Sequence, residues 1–326
     1  MTVPSFVSQD APELPGFARY SVDLASAELP CGASWIANVL LELGVPIFNP
    51  WGADTRAEWQ ALGGRRFRYQ RADAGWTRLL PGLRHGREFC FRADPVPRLG
   101  HHWPGQYPAV PTLLIVRDPR DALYSAWRRE RALGALGPEV EFPQFLHLPF
   151  RHWPLSWSDY LALHTAAWAR QWQRQSGLLL RFEDCKRDPC GQASRVLHWL
   201  GISASDHAIR AAVATSAHRE VQRAEAKLLA TGVAPVALLA GGIAEEWRQH
   251  YRADWHAELP DYLWAVFEAL GYRAEHSGRP ATLPDAPQLT ALAEQIGIPV
   301  ESLALHGCGG GKDGTRDPGL ASLQNE

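Results

Sequence analysis

The chain alternates short unbroken apolar runs with longer stretches in which apolar residues return every three or four positions. Thr112-Leu113-Leu114-Ile115-Val116 is the clearest run, closed by Pro111 on one side and by Arg117-Asp118-Pro119 on the other. Such a run, with no polar alternation, suits a strand covered on both faces, as in a parallel sheet. Leu178-Leu179-Leu180-Arg181-Phe182 reads the same way, and the stretch 17–29 holds a third candidate around Val22 and Leu24. Helical spacing predicts helices over 34–43, from Asp121 through 131, and over 158–175, 192–200, 206–215, 245–251 and 262–270. Gly44, Gly177, Gly201 and Gly271 stand where helix stops are expected. Strands alternating with helices imply an α/β fold, a central parallel sheet flanked by helices. The segment 50–110 shows no readable order. The segment 133–158, punctuated by Pro138, Pro143, Pro149 and Pro154, reads as a loop-rich insertion.

Composition narrows the picture. Of 326 residues, 46% are hydrophobic and 21% charged, enough apolar content to bury a large core over most of the length. The exception is the run from Gly307, GCGGGKDGTRDPGLASLQNE, so 307–326 is expected to be a disordered tail. A partly helical extension over 277–306 precedes it, leaving 1–276 as the main domain. A net charge of −2 argues against nucleic acid as partner. No apolar run reaches the ~20 residues that cross a bilayer, and the N-terminus lacks the basic start and apolar core of a signal peptide. Five cysteines without a CxxC pair read as the reduced thiols of a cytoplasmic protein. No Cys/His grouping has zinc spacing, so no metal is expected; His101 and His102 are adjacent, and in a strand their rings would diverge. The 14 tryptophans are read mostly as core, with a few left for an aromatic acceptor pocket.

Two places carry candidate chemistry. Strand, glycine turn and helix over 22–43 have the layout of a phosphate-binding loop, whose helix N-terminus offers backbone N–H groups to an anion. Arg117 stands at the C-terminal edge of the 112–116 strand, where α/β proteins bind ligands, and Ser125 follows eight residues later, about two helical turns on. A guanidinium fork and a hydroxyl at that spacing can hold one phosphate; they equally suit a strand-end salt bridge and an ordinary helix serine.

Leu114 to Ser125 resembles the 3′-phosphate-binding motif of sulfotransferases that use 3′-phosphoadenosine-5′-phosphosulfate (PAPS). Four further stretches match that family in order. They are Leu29-Pro30-Cys31-Gly32-Ala33-Ser34-Trp35, Leu178 through Pro189, Trp199-Leu200-Gly201-Ile202 with the helix to Thr215, and Gly242 through Tyr251. The resemblance spans about residues 20–272. It implies the P-loop-like sulfotransferase fold, PAPS as donor with 3′-phosphoadenosine-5′-phosphate (PAP) as product, and no metal. The donor-binding residues it implies are Gly32, Ala33, Ser34, Trp35, Arg117, Ser125, Phe182, Thr215, Gly241 and Gly242.

The departures from the family pattern are specific. Pro30 stands where the family has the lysine that bridges phosphate and sulfuryl group, and proline offers neither charge nor N–H. Phe182 replaces a tyrosine, Ala217 an adenine-stacking aromatic, and Ala240-Gly241-Gly242 an Arg-Lys-Gly triplet. Arg120, Arg181, Lys186 and Arg219 are the nearby charges that could compensate. Three residues are candidates for the catalytic base: Asp94, by its position in Phe91-Arg92-Ala93-Asp94-Pro95, and His101 and His102, by imidazole pKa. The resemblance thus implies a cytoplasmic enzyme of secondary metabolism passing a sulfuryl group to a hydroxyl of a small aromatic or bulky acceptor. It is compatible with a homodimer. The alternative is a repurposed fold with weak or no PAPS binding. A P-loop kinase is disfavoured because no Gly-Lys-Ser/Thr follows Gly32.

Overall fold

The structure is a computed structural model. It describes residues 22–45, 47, 66–68, 88–90, 97–104, 109–151, 155–175, 177–220, 222–223, 226 and 242–273. Asp94, Gly241, the extension 277–306 and the tail 307–326 lie outside the described residues.

Four parallel strands form the central sheet in the order β4-β1-β5-β6, where β1 is Val22–Ala25, β4 Pro97–Gly100, β5 Thr112–Val116 and β6 Leu178–Arg181. A separate antiparallel pair joins β2 (Arg66–Arg68) to β3 (Glu88–Cys90). The α/β reading with a parallel sheet is what the structure has.

Strand alternation splits the core in two. Leu24, Leu113, Ile115, Leu178 and Leu180 face one layer of helices: α1 (Ala33–Glu42), α6 (Pro189–Trp199) and α7 (Asp206–Thr215). Ala25, Leu114 and Val116 face the other layer: α2 (Pro119–Ala132), α3 (Phe142–His147), α4 (Trp157–Arg174) and α9 (Asp261–Glu268). The second layer is the aromatic one. Trp157, Trp168, Trp255 and Trp264 are buried in it, which assigns these tryptophans to packing.

The chain leaves β1 toward β4, then crosses back to β5 on the other side of β1. The loops after β1 and β5 therefore part in opposite directions, and the crevice between them lies at the carboxyl ends of the strands.

Several sequence expectations need correction. The helix expected from Asp121 begins at Pro119, because Asp118 caps it by accepting from the Arg120 amide at 3.0 Å. The helix expected from 192 likewise starts at Pro189, capped by Asp188 onto the Gly191 amide at 2.9 Å. The strand through Phe182 stops at Arg181, and Phe182 opens a short helix, α5 (Phe182–Arg187). The insertion 133–158 contains α3, whose buried Phe142, Phe145 and Leu146 anchor it to the core. The helix expected over 245–251 shrinks to α8 (Trp247–His250), preceded by a turn with Glu245 at φ 58°. Strand β4 went unread because its buried face carries Arg98, which donates to both oxygens of Asp23 on β1 (2.6 and 2.9 Å). A charge pair occupies positions where a hydrophobic pattern would have revealed a strand.

Candidate active site

On one side of the crevice, Gly32 caps α1 at φ 94°, a conformation that favours glycine. A Cβ there would also lie 2.6 Å from Cδ2 of Phe182. The amides of Trp35 and Ile36 close back on the Gly32 carbonyl (3.0 and 3.4 Å). The amides of Ala33 and Ser34 precede them in the first turn, which carries no acidic residue. Donors without internal acceptors and no competing carboxylate favour an anion there. Half-buried Trp35 lies on the same turn. Across from it, Asn38 Nδ2 donates to Ser216 Oγ at 3.2 Å, tying α1 to the end of α7 and hence to Thr215.

On the other side, Arg117 follows β5 and is 1% exposed. Its NH1 donates to Ser125 Oγ (3.1 Å) and to the Pro30 carbonyl (3.0 Å); its NH2 donates to the Ile243 carbonyl (2.9 Å). The guanidinium lies 4.5 Å from the centroid of the Phe182 ring, and its Nε has no hydrogen-bond partner among the described residues. One side chain thus joins the first loop, the second helix and the late loop that begins at Gly242, where φ is 101°. Asp121, 3.7 Å from Arg117, accepts from the amides of Glu245 (2.7 Å) and Trp247 (2.9 Å). Burial raises its pKa to about 6 against the pull of Arg117. Sequence reading missed Asp121, although its position four residues after Arg117, in the first turn of the helix that follows, was a visible signal.

The candidate compensating charges fare unequally. Arg120 forks onto Asp118 (2.9 and 2.6 Å) and stacks 3.6 Å from the Trp247 ring. Arg181 donates to Asp184 at 2.8 Å. Arg219 is exposed. Lys186 places its ammonium 5.3 Å from the Phe182 centroid; desolvation and then Arg117 lower its pKa, so it shares the field of the anion site. Lys186 in turn lowers the pKa of His218, after desolvation, and the His218 ring lies against Gly242. Burial pushes the Cys31 thiol up to about 12, which keeps it protonated and removes it as a nucleophile.

The two adjacent histidines have different surroundings. His102 is buried, 3.5 Å from Asp23 and edge-on to Trp168. His101 is half-buried, with Nδ1 2.9 Å from the Ser26 carbonyl where the first loop leaves β1. That contact places the hydrogen on Nδ1 and leaves Nε2 as the basic nitrogen. Burial lowers the pKa of His101, as do Arg129 and His102, while Ser26 and Glu28 oppose the shift. Behind the pair, His164 Nε2 lies 3.2 and 3.1 Å from the carbonyls of His101 and His102, and burial lowers its pKa to about 3. The Trp168 indole donates to the same His102 carbonyl at 2.9 Å. The backbone of both candidate bases is therefore held by α4.

Residues 108–263 match the family model described as the sulfotransferase domain. Over this stretch the chain is similar to that domain. Among solved structures it is similar to retinol dehydratase in complex with androsterone and inactive cofactor PAP. That match has a TM-score of 0.51 and 16% identity over 81% of this chain and 86% of that one. Retinol dehydratase with retinol and PAP gives a TM-score of 0.51 at 17% identity, covering 81% and 86%. Mouse sulfotransferase SULT7A1 complexed with PAP gives 0.49 at 17%, covering 79% and 89%. These likenesses concern the fold. Curated proteins yield no match. Among the described residues, no helix is long and apolar enough to cross a membrane, and no group of three or more His, Cys, Asp or Glu could hold a metal ion.

Proposed function

We propose that this chain is a sulfotransferase that takes PAPS as donor and passes its sulfuryl group to a hydroxyl of a small aromatic or bulky apolar acceptor, with His101 as base. The observation that carries the reading is the Arg117–Ser125 pair beneath the first loop. The terminal nitrogens of Arg117 donate to two carbonyls and a hydroxyl, the kind of acceptor that phosphate oxygens can replace. The buried, unpartnered Nε of Arg117 and the open first turn of α1 fit an anionic nucleotide. In this reading Ala33 and Ser34 amides receive the 5′-phosphate, Trp35 and Thr215 border the base, and Phe182, Gly242 and Gly241 complete the nucleotide's surroundings.

The donor supplies an activated sulfuryl group. The acceptor oxygen forms the new O–S bond as the S–O bond to the 5′-phosphate breaks. The bond's electron pair stays on the phosphate oxygen, and the acceptor proton passes to Nε2 of His101. His102 is committed to Asp23, which favours His101 over its neighbour; Asp94 lies outside the described residues. The tryptophan-rich segments 50–110 and 133–158 support the acceptor class, as they hold Trp51, Trp59, Trp76 and Trp153. A cytoplasmic site of action, a role in secondary metabolism, a domain ending near 276 and a homodimer belong to the same proposal. Pro30, whose carbonyl is taken by Arg117 and which brings no charge, favours a second reading: a repurposed fold without PAPS chemistry. Titration calorimetry with PAP separates the two. Saturable one-site binding supports the first reading; absence of both heat and thermal stabilisation at millimolar PAP sinks it.

A further inference from the structure

The first loop, 26–35, contains neither lysine nor arginine. Arg117 lies beneath it with its hydrogen bonds turned to carbonyls and Ser125. Yet a transferring sulfuryl group carries negative charge on three oxygens, and its passage from one oxygen to another is eased by a cation aimed at them. One residue of α2 meets that description. Arg129 follows Ser125 by one helical turn, on the same face, about 6 Å farther along the helix. Its Nε and NH2 are held by Glu130 (3.1 and 3.0 Å), and NH2 reaches the Glu28 carbonyl at 3.5 Å. The Glu28 carboxylate is turned to Arg151 instead. NH1 of Arg129 makes no hydrogen bond among the described residues, and the side chain is 21% exposed. Its charge acts on both Cys31 of the loop and His101. A guanidinium fixed along one edge and open along the other is pre-organised for an anion.

We propose that Arg129 is the catalytic cation of this enzyme, its NH1 group facing the oxygens of the sulfuryl group between the first loop and His101. The proposal rests on the sulfotransferase reading above. It places the charge for group transfer on the helix after β5, not on the loop. Arg117 and Ser125 hold the nucleotide one turn away.

The test compares wild type, Arg129→Met and Arg129→Lys in the full chain. PAP and PAPS affinities are measured by calorimetry and competition, and PAPS hydrolysis with water as acceptor is followed by PAP release. Arg129→Met should leave PAP affinity within about threefold while weakening PAPS binding ten- to hundredfold and slowing hydrolysis by a factor of about a hundred or more. Arg129→Lys should recover part of both, and methylguanidinium should partly restore hydrolysis in Arg129→Gly. If Arg129→Met binds PAPS as tightly relative to PAP as wild type does, the proposal falls. A parallel loss of PAP and PAPS affinity overturns it too, since the residue would then read the nucleotide. If Arg129→Met does not fold, the lysine and rescue variants decide on the same criteria. Failure of wild type itself to bind PAP is a different result, which removes the sulfotransferase reading before Arg129 is tested.

Discussion

Replacing Arg117 by alanine tests whether one buried guanidinium both closes the crevice and reads the donor. Three acceptors lose their donor: the Pro30 carbonyl, Ser125 Oγ and the Ile243 carbonyl. Each is worth about 1 kcal/mol or more when its partner is left buried. Asp121 also loses the cation 3.7 Å away. Its penalty is bounded, because a carboxyl with a pKa near 6 can escape by taking a proton. Going from there to pH 7 spans one unit, about 1.4 kcal/mol. The sum is about 4 kcal/mol, within the ~3–5 kcal/mol for breaking a buried ion pair. It corresponds to a fall in Tm of roughly 10 °C. The pH dependence has a definite sign. Asp121's folded pKa lies above its unfolded value, and losing Arg117 raises it further. The deficit should therefore grow as pH rises through about 6 and shrink below it. Urea unfolding of both proteins at pH 5.5 and pH 8 measures this. Calorimetry should show PAP affinity falling about a hundredfold more than adenosine 5′-phosphate affinity. Unchanged stability, or a deficit independent of pH, would refute the clamp; equal losses for both nucleotides would refute the 3′-phosphate assignment.

Two further predictions follow from the histidines and the first loop. His101→Gln should lower transfer by about 10²–10⁴ while PAP affinity holds. Because burial, Arg129 and His102 lower the His101 pKa, wild-type activity should stay level through neutral pH and fall only below the ordinary imidazole range; a wild-type profile that falls near pH 7 contradicts this assignment. Gly32→Ala should cost about 1–3 kcal/mol from its φ of 94° plus a clash with Phe182; Phe182→Ala in the same chain should relieve the clash alone, and full recovery of urea stability would show that the backbone is not strained.

Strand β5 shows what apolar runs reveal. Leu113, Leu114 and Ile115 needed no partner to read as buried strand, because a parallel sheet covers both faces and leaves no polar alternation. β4 needed one. Arg98 is 2% exposed only because Asp23, 75 residues earlier, lies across the strand boundary, and no local pattern encodes that pairing. The late loop follows the same logic. Glu245 to Tyr251 read as helix by spacing, yet Asp121 binds the Glu245 and Trp247 amides and fixes a turn there.

The sequence by itself determined the parallel α/β sheet and the spacing of Arg117 and Ser125, since both follow from periodicity within a single strand–helix unit. It could not rank His101 against His102, which are neighbours of identical chemistry. Only the tertiary structure gives them different surroundings, by setting one ring at the mouth of the first loop against Ser26 and the other under Trp168 against Asp23. It likewise turned Arg117 toward Pro30 and left Arg129 with an open edge. The physical reason is the same in each case. The fate of a polar side chain depends on what charge and burial surround it, and those come from segments distant in the chain.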